Sequence, residues 1–172
     1  MIEQEFKKVK LFTGVIYKDF ECFKKVKDIL GNHFSEIDLE SSEIPFLFTE
    51  YYNEEFGTPL FRKFISFNDK INPEEISGIK KFTNNIEINL LRDKKRTVNV
   101  DPGYISDANV IIATAKNHYH RVPLFGGIYA HIEYVIKNKK LHFLEWTYPD
   151  FKSEEYLRFF KELKALFKLK SA

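Results

Sequence analysis

"RTVNVDPGYISDANVIIATAKNHYHR", residues 96 to 121, passes from one β-branched segment to the next without a helical period between them, and this decides the fold class. Arg96 to Val100 and Asn109 to Lys116 read as strands. Val122 to Lys137 and Leu141 to Tyr148 continue as two more, joined across Asn138-Lys139-Lys140 as a hairpin. Toward the N-terminus, Val9 to Lys18 is a strand. A helix follows with Phe20, Phe23, Val26, Ile29 and Leu30 inward, Asp19 as N-cap and Gly31 as the residue after its end. Glu36 to Asp69 alternates apolar and polar residues, with breaks at Pro45, Gly57 and Pro59 that divide it into three strands. Asn72-Pro73-Glu74-Glu75 opens a second helix, whose face carries Ile76, Ile79, Lys80, Phe82, Thr83, Ile86 and Leu90. Ser153 with two acids opens a third, striped by Tyr156, Leu157, Phe160, Leu163, Leu166 and Phe167. The order β-α-βββ-α-ββββ-α predicts an α+β fold: a single domain over residues 1–172, with a largely antiparallel sheet and three helices on one face.

Composition narrows the class of protein. Eighteen Phe and nine Tyr in 172 residues supply enough apolar surface for an independent core. Twenty-seven basic against twenty-five acidic residues leave a net charge of +2, too small by itself to imply a nucleic-acid or anionic-membrane partner. Cys22 stands alone, so an internal disulfide is excluded and a cytoplasmic location is expected. No apolar run approaches the roughly 20 residues that span a bilayer, and MIEQEFKKVK lacks the apolar stretch of a signal peptide.

The common catalytic signatures are missing. None of the seven glycines begins G-x-x-x-x-G-K-[ST] or the dinucleotide fingerprint; Gly126-Gly127 reads as a bulge or bend between strands. One Cys and no H-E-x-x-H leave the usual zinc patterns unmet, although His118 and His120 would share a strand face at period two, as a metal pair or as structural histidines. No G-x-S-x-G elbow places a nucleophile.

What remains is a polar constellation. If residues 96–101 are extended, Thr97, Asn99 and Asp101 share a face, and Asp101 runs into Pro102-Gly103, a turn signal that would pin its carboxylate at a strand end. Thr114, Lys116, His118 and His120 would line one side of the next strand. Lys116 and Arg121 are the two usual kinds of anion holder, and a solvated face would look the same. "TEYYNEEFG" (49–57), if extended, sets Tyr51 and Glu55 in register, and "EWTYPDF" (145–151) does the same for Trp146, Tyr148 and Asp150.

Together with KLFTGVIY, the ordered blocks T-x-Y-Y-x-x-E-F-G, L-x-R-x-F-x-S-F, I-K-x-x-T-N-x-I-E, R-x-V-N-V-D-P-G-Y, A-K-x-x-x-H-R and W-T-Y-P-D-F resemble a bacterial and archaeal family known as domain of unknown function 4416. The resemblance covers nearly the whole chain. It favours Tyr51, Tyr52, Glu55, Arg62, Lys80, Asn84, Glu87, Asn99, Asp101, Tyr104, Lys116, His120, Arg121, Trp146 and Asp150, and leaves out His118. The family pattern often has an acid after G-I-Y-A where this chain has His131, with Glu133 as the available substitute. Some members carry a GTP-binding label, which the missing P-loop does not support here.

The expectation is therefore a site for an anionic small molecule, phosphorylated or nucleotide-like. Asp101, Lys116 and His120 would be its catalytic candidates, and Tyr51, Glu55, Asn99, Arg121, Trp146 and Asp150 its ligand contacts. The chemistry would be acid–base or metal-assisted, with metal and cofactor unassigned. The alternative is a non-enzymatic interaction module whose polar residues form a structural ion-pair network. RNA binding would need a clustered basic face.

Overall fold

The computed structural model describes residues 2–48 and 52–169. Its strands are β1 (Val9–Tyr17), β2 (Ile37–Glu40), β3 (Ile44–Pro45), β4 (Phe61–Ile71), β5 (Val98–Ile105), β6 (Asn109–Thr114), β7 (Val122–Pro123), β8 (Tyr129–Lys137) and β9 (Lys140–Phe143). They form one sheet in the order β2-β4-β1-β5-β6-β8-β7, with β3 beside β4 and β9 beside β8, and every pairing is antiparallel. The helices are α1 (Phe20–His33), α2 (Asn53–Phe56), α3 (Ile76–Asn89) and α4 (Glu154–Leu169). The α+β class and the antiparallel sheet are as expected from the sequence.

Residues of β1 alternate between two cores because successive side chains of a strand point to opposite faces. Leu11, Val15 and Tyr17 pack with Phe23, Val26 and Leu30 of α1 and Ile76, Ile79 and Ile86 of α3. Phe12 packs instead with Phe64 and with Tyr156, Phe159, Phe160 and Leu163 of α4. The helices thus cover both faces of the sheet, which corrects the expected one-sided arrangement: β1, buried at every residue and apolar on both faces, has to be covered twice. Aromatic contacts dominate the α4 side, with Phe12–Phe160 edge-to-face at 5.0 Å and Phe64–Phe159 stacked at 5.0 Å.

Asp19 Oδ1 accepts the Glu21 N–H at 2.9 Å, and Glu75 Oε2 accepts the Asn72 N–H at 2.6 Å ahead of α3. Asn138 and Lys139 both have positive φ, 50° and 62°, as a two-residue hairpin between β8 and β9 requires. Gly126 and Gly127, also at positive φ, reverse the chain between β7 and β8, so the stretch expected as one strand from Val122 is two. Gly31 lies inside α1 rather than beyond it. Residues 53–56 are helical rather than extended. β9 ends at Phe143, so Trp146 and Tyr148 sit on the following loop.

The consequential correction is at Pro102-Gly103, which do not turn: β5 runs straight through them. Gly103 is needed for close approach, since a Cβ there would lie 2.3 Å from the Ile111 carbonyl oxygen and 2.5 Å from Phe12 Cζ. Pro102 acts by what it lacks. Tyr104 faces Ile111 across the β5–β6 ladder, and two residues earlier Pro102 has no N–H to offer the same neighbour. The ladder stops at Gly103 opposite Ile112, β6 ends at Thr114, and the sheet is split along one edge of residues 98–101.

Candidate functional site

An open strand edge inside a protein leaves backbone groups that must find partners. At Val100 they come from α3, where Lys80, Thr83 and Glu87 occupy one helix face by their spacing of three and four. Glu87 Oε1 accepts the Val100 N–H at 2.8 Å, while Lys80 Nζ donates to the Val100 carbonyl at 2.8 Å. Both side chains are almost fully buried. The split thereby becomes a cleft of about 440 Å³ in which groups from the two faces of the sheet meet.

Charged residues form a continuous floor. Asp101 Oδ1 lies 3.2 Å from Lys80 Nζ, and Asp101 Oδ2 accepts the Asn99 amide at 2.6 Å and stands 3.8 Å from Arg62 Nη2. Arg62 Nη1 donates to Asp150 Oδ2 at 2.7 Å, and its guanidinium is surrounded by the rings of Phe46, Phe64, Phe151 and Tyr156 at 4.8–5.8 Å. On the other side Arg96 holds Glu55 with both prongs, Nε to Oε1 at 2.8 Å and Nη2 to Oε2 at 2.7 Å. Its Nη1 reaches Glu87 Oε2 at 3.1 Å and Asn99 Oδ1 at 3.3 Å. Gly14 sits in register between Phe64 and Asp101, and its missing side chain leaves the floor open.

The electrostatics follow from this pairing. Burial alone would raise the Asp101 carboxyl, but Lys80 and Arg62 outweigh it and hold the group below the usual carboxylate range. Glu87 goes the other way: burial raises it, and Lys80 and its bond from Val100 only partly oppose that. Glu55, nearer the surface, is lowered chiefly by its bonds from Arg96.

A second cluster adjoins the cleft at β8. His131, which borders the cleft, lies 2.9 Å from Glu133 Oε1 through Nε2, and its Nδ1 is approached by His120 Nε2 at 3.0 Å and Arg121 Nε at 3.2 Å. Arg121 Nη1 donates to the Lys116 carbonyl at 2.7 Å, and Nη2 bonds the Tyr148 hydroxyl. Trp146 stacks on His120 at 4.9 Å and gives its indole N–H to the Ile132 carbonyl at 3.0 Å.

Asn99, Asp101, Lys116 and Asp150 thus line one cleft. Glu55 is one step removed, behind Arg96. His120, Arg121 and Trp146 belong to the adjoining cluster, with Arg121 as a strut between Lys116, His131 and Tyr148. His118 and His120 lie on a loop beyond β6 rather than on a strand, because the Thr114 hydroxyl accepts the Lys116 N–H and turns the chain. Tyr51 lies outside the described residues. Reading residue by residue gave Arg96 no role beyond starting a strand, set Tyr148 in register with Trp146 and Asp150, and reached Arg62, Glu87 and His131 only through the family resemblance. An arginine inside an otherwise alternating β4 was the available signal for Arg62. Among the described residues no group of three or more His, Cys, Asp and Glu side chains is placed to hold a metal ion, and no helix is long and apolar enough to cross a membrane.

Fold and site together define an α+β protein built on a split antiparallel sheet, with an ion-paired cleft at the split. Residues 7–167 match the family described as Domain of unknown function (DUF4416), and the chain belongs to that family. No curated protein and no solved structure matches it.

Proposed function

We propose that the cleft binds an anionic small molecule bearing a flat ring, a phosphorylated or nucleotide-like compound, in the cytoplasm. The observation that carries this reading is the mixed lining: Phe46, Phe48, Tyr52 and Tyr148 offer aromatic surface, Lys116 stands at the exposed rim, and Arg62, Lys80, Asp101 and Asp150 set a charged floor. The volume of about 440 Å³ falls within the range of about 300–1,000 Å³ for small-molecule sites. Buried ion pairs contribute little net stability compared with apolar packing, so the floor is better understood as a rigid set of charges that orients a ligand. Asp101, kept ionised by Lys80 and Arg62, suits accepting a hydrogen bond from the ligand more than taking up a proton near neutral pH.

A second reading, a structural network in a non-enzymatic interaction module, is favoured by one observation: Arg62, Lys80 and Arg96 each already contact a carboxylate. Melting of the full chain with phosphate, GMP, GTP or ATP separates the two. A ligand at about 100 times its Kd adds about 2.7 kcal/mol, or roughly 5–10 °C for a chain of this size. The ligand reading expects such a shift in the wild type and its loss in Lys116→Ala. No shift with any phosphorylated compound supports the structural reading.

A further inference from the structure

His118, His120, His131 and Glu133 lie on one line of contacts from solvent to the interior. His118 Nδ1 stands 2.9 Å from His120 Nδ1, His120 Nε2 stands 3.0 Å from His131 Nδ1, and His131 Nε2 stands 2.9 Å from Glu133 Oε1. His118 is exposed, His120 half-buried, and His131 and Glu133 are 1% and 0% exposed.

Arg121 sets the direction of this line. A guanidinium N–H can only donate, so the His131 Nδ1 that Arg121 Nε approaches at 3.2 Å is the bare ring nitrogen. The His131 proton then sits on Nε2, toward Glu133. His120 joins Arg121 in a three-centre contact by donating from Nε2, which leaves its own Nδ1 bare, and His118 must donate from Nδ1. One assignment of neutral tautomers satisfies the two imidazole–imidazole links and the bond from Arg121, and in it every ring N–H lies on the Glu133 side of its histidine. The rings are held in place, His120 by Trp146 at 4.9 Å and 8° and His131 by Tyr148 at 4.8 Å and 10°.

We propose that these four residues form a directional proton path from solvent to the Glu133 carboxyl behind the cleft wall, giving the cleft an acid–base reserve of one proton. A proton taken up at His118 Nε2 releases the one on Nδ1 to His120 Nδ1. His120 passes its Nε2 proton to His131 Nδ1, and His131 passes its own Nε2 proton to Glu133. One solvent proton is consumed, one carboxyl O–H forms, and each imidazole ends neutral in its other tautomer. Arg121 loses its acceptor in that state, which returns the path to its starting direction once the proton leaves.

The last link has the separation of a hydrogen bond but not its geometry: His131 Nε2 and Glu133 Oε1 are buried, 2.9 Å apart, and neither makes a hydrogen bond to any group, so each is the partner the other lacks. Glu133 is otherwise faced by the Tyr148 N–H at 3.2 Å on Oε2 and, at longer range, by Asp150. Burial raises its carboxyl and His131 only partly opposes this; burial, then His131, His118 and Arg121, lower His120. The two directions favour a neutral His120 ring and a protonatable Glu133. The path requires no ligand, so it stands apart from the binding reading above.

Long-range ¹H–¹⁵N and carboxyl ¹³C spectra of the labelled full chain test it. At pH 8 the path predicts the proton on Nδ1 of His118 and on Nε2 of His120 and His131. On acidification the His131 proton should move to Nδ1 at the same midpoint at which the Glu133 carboxyl shift changes. Glu133→Gln should keep the tautomers and lose the acid-linked move, and Arg121→Gln should mix the His131 tautomers. His118 protonated on Nε2 in the wild type, or His131 remaining an Nε2–H tautomer while Glu133 titrates, would overturn the proposal, and both are read without any variant.

Discussion

Glu87 accepts the Val100 N–H at 2.8 Å, so a side chain of α3 stands where the next strand of the sheet would otherwise be. Glu87→Ala removes that acceptor and one partner of Arg96, and is expected to cost about 3–5 kcal/mol. Glu87→Gln keeps an acceptor for the amide and should cost about 1–2 kcal/mol. Urea denaturation of the two variants measures the difference.

Arg62 joins Asp150 to Asp101 inside a ring of aromatic side chains. Arg62→Ala leaves the buried Asp150 without its cation and Asp101 with Lys80 alone, with an expected loss of about 3–5 kcal/mol. Adding Asp150→Ala should then cost less than it does alone, and a double-mutant cycle reports the coupling. Additive losses would mean that the pair does not act as a unit.

Asp101 supplies the pH dependence. Its folded pKa lies below the unfolded value of about 3.9, so its contribution is complete above that value and is lost as pH falls through the folded one. The stability gap between wild type and Asp101→Asn should therefore be constant from about pH 6 to 8 and shrink below about pH 4. Denaturation midpoints across that range check the sign.

Two glycines should respond in opposite ways. An added Cβ at Gly103 would meet the Ile111 carbonyl at 2.3 Å, whereas at Gly78 in α3 it meets nothing within 4 Å. Gly103→Ala is expected to lose more than about 2 kcal/mol by overpacking. Gly78→Ala should gain up to about 1 kcal/mol from helix propensity, or roughly 2–4 °C in melting temperature.

The sequence reveals what depends on near neighbours. Strand alternation, the Asp19 cap and the Asn138-Lys139 hairpin are local, and they are where the reading placed them. Pro102-Gly103 misled because local rules assign that pair to a turn, while its role is set by Phe12 and Ile111 on the two strands that flank β5. The covering of both faces was legible in β1, where Leu11 and Val15 point to one face and Phe12 and Ile16 to the other. Site residues split in the same way. Asn99 and Asp101 share a face by simple periodicity and do touch. Arg96 was hidden because its partners, Glu55 and Glu87, stand 41 and 9 residues away and no spacing rule connects them.

The central claim, that one cleft at the split of the sheet receives an anionic ligand, is tested most directly by titrating the ¹⁵N-labelled chain with GMP and with inorganic phosphate. The account predicts saturable shifts confined to the amides of Asn99, Asp101, Lys116 and Tyr148 and their neighbours, larger for GMP because its ring reaches the aromatic wall. Shifts scattered over the surface, or none with either compound at millimolar concentration, would contradict it.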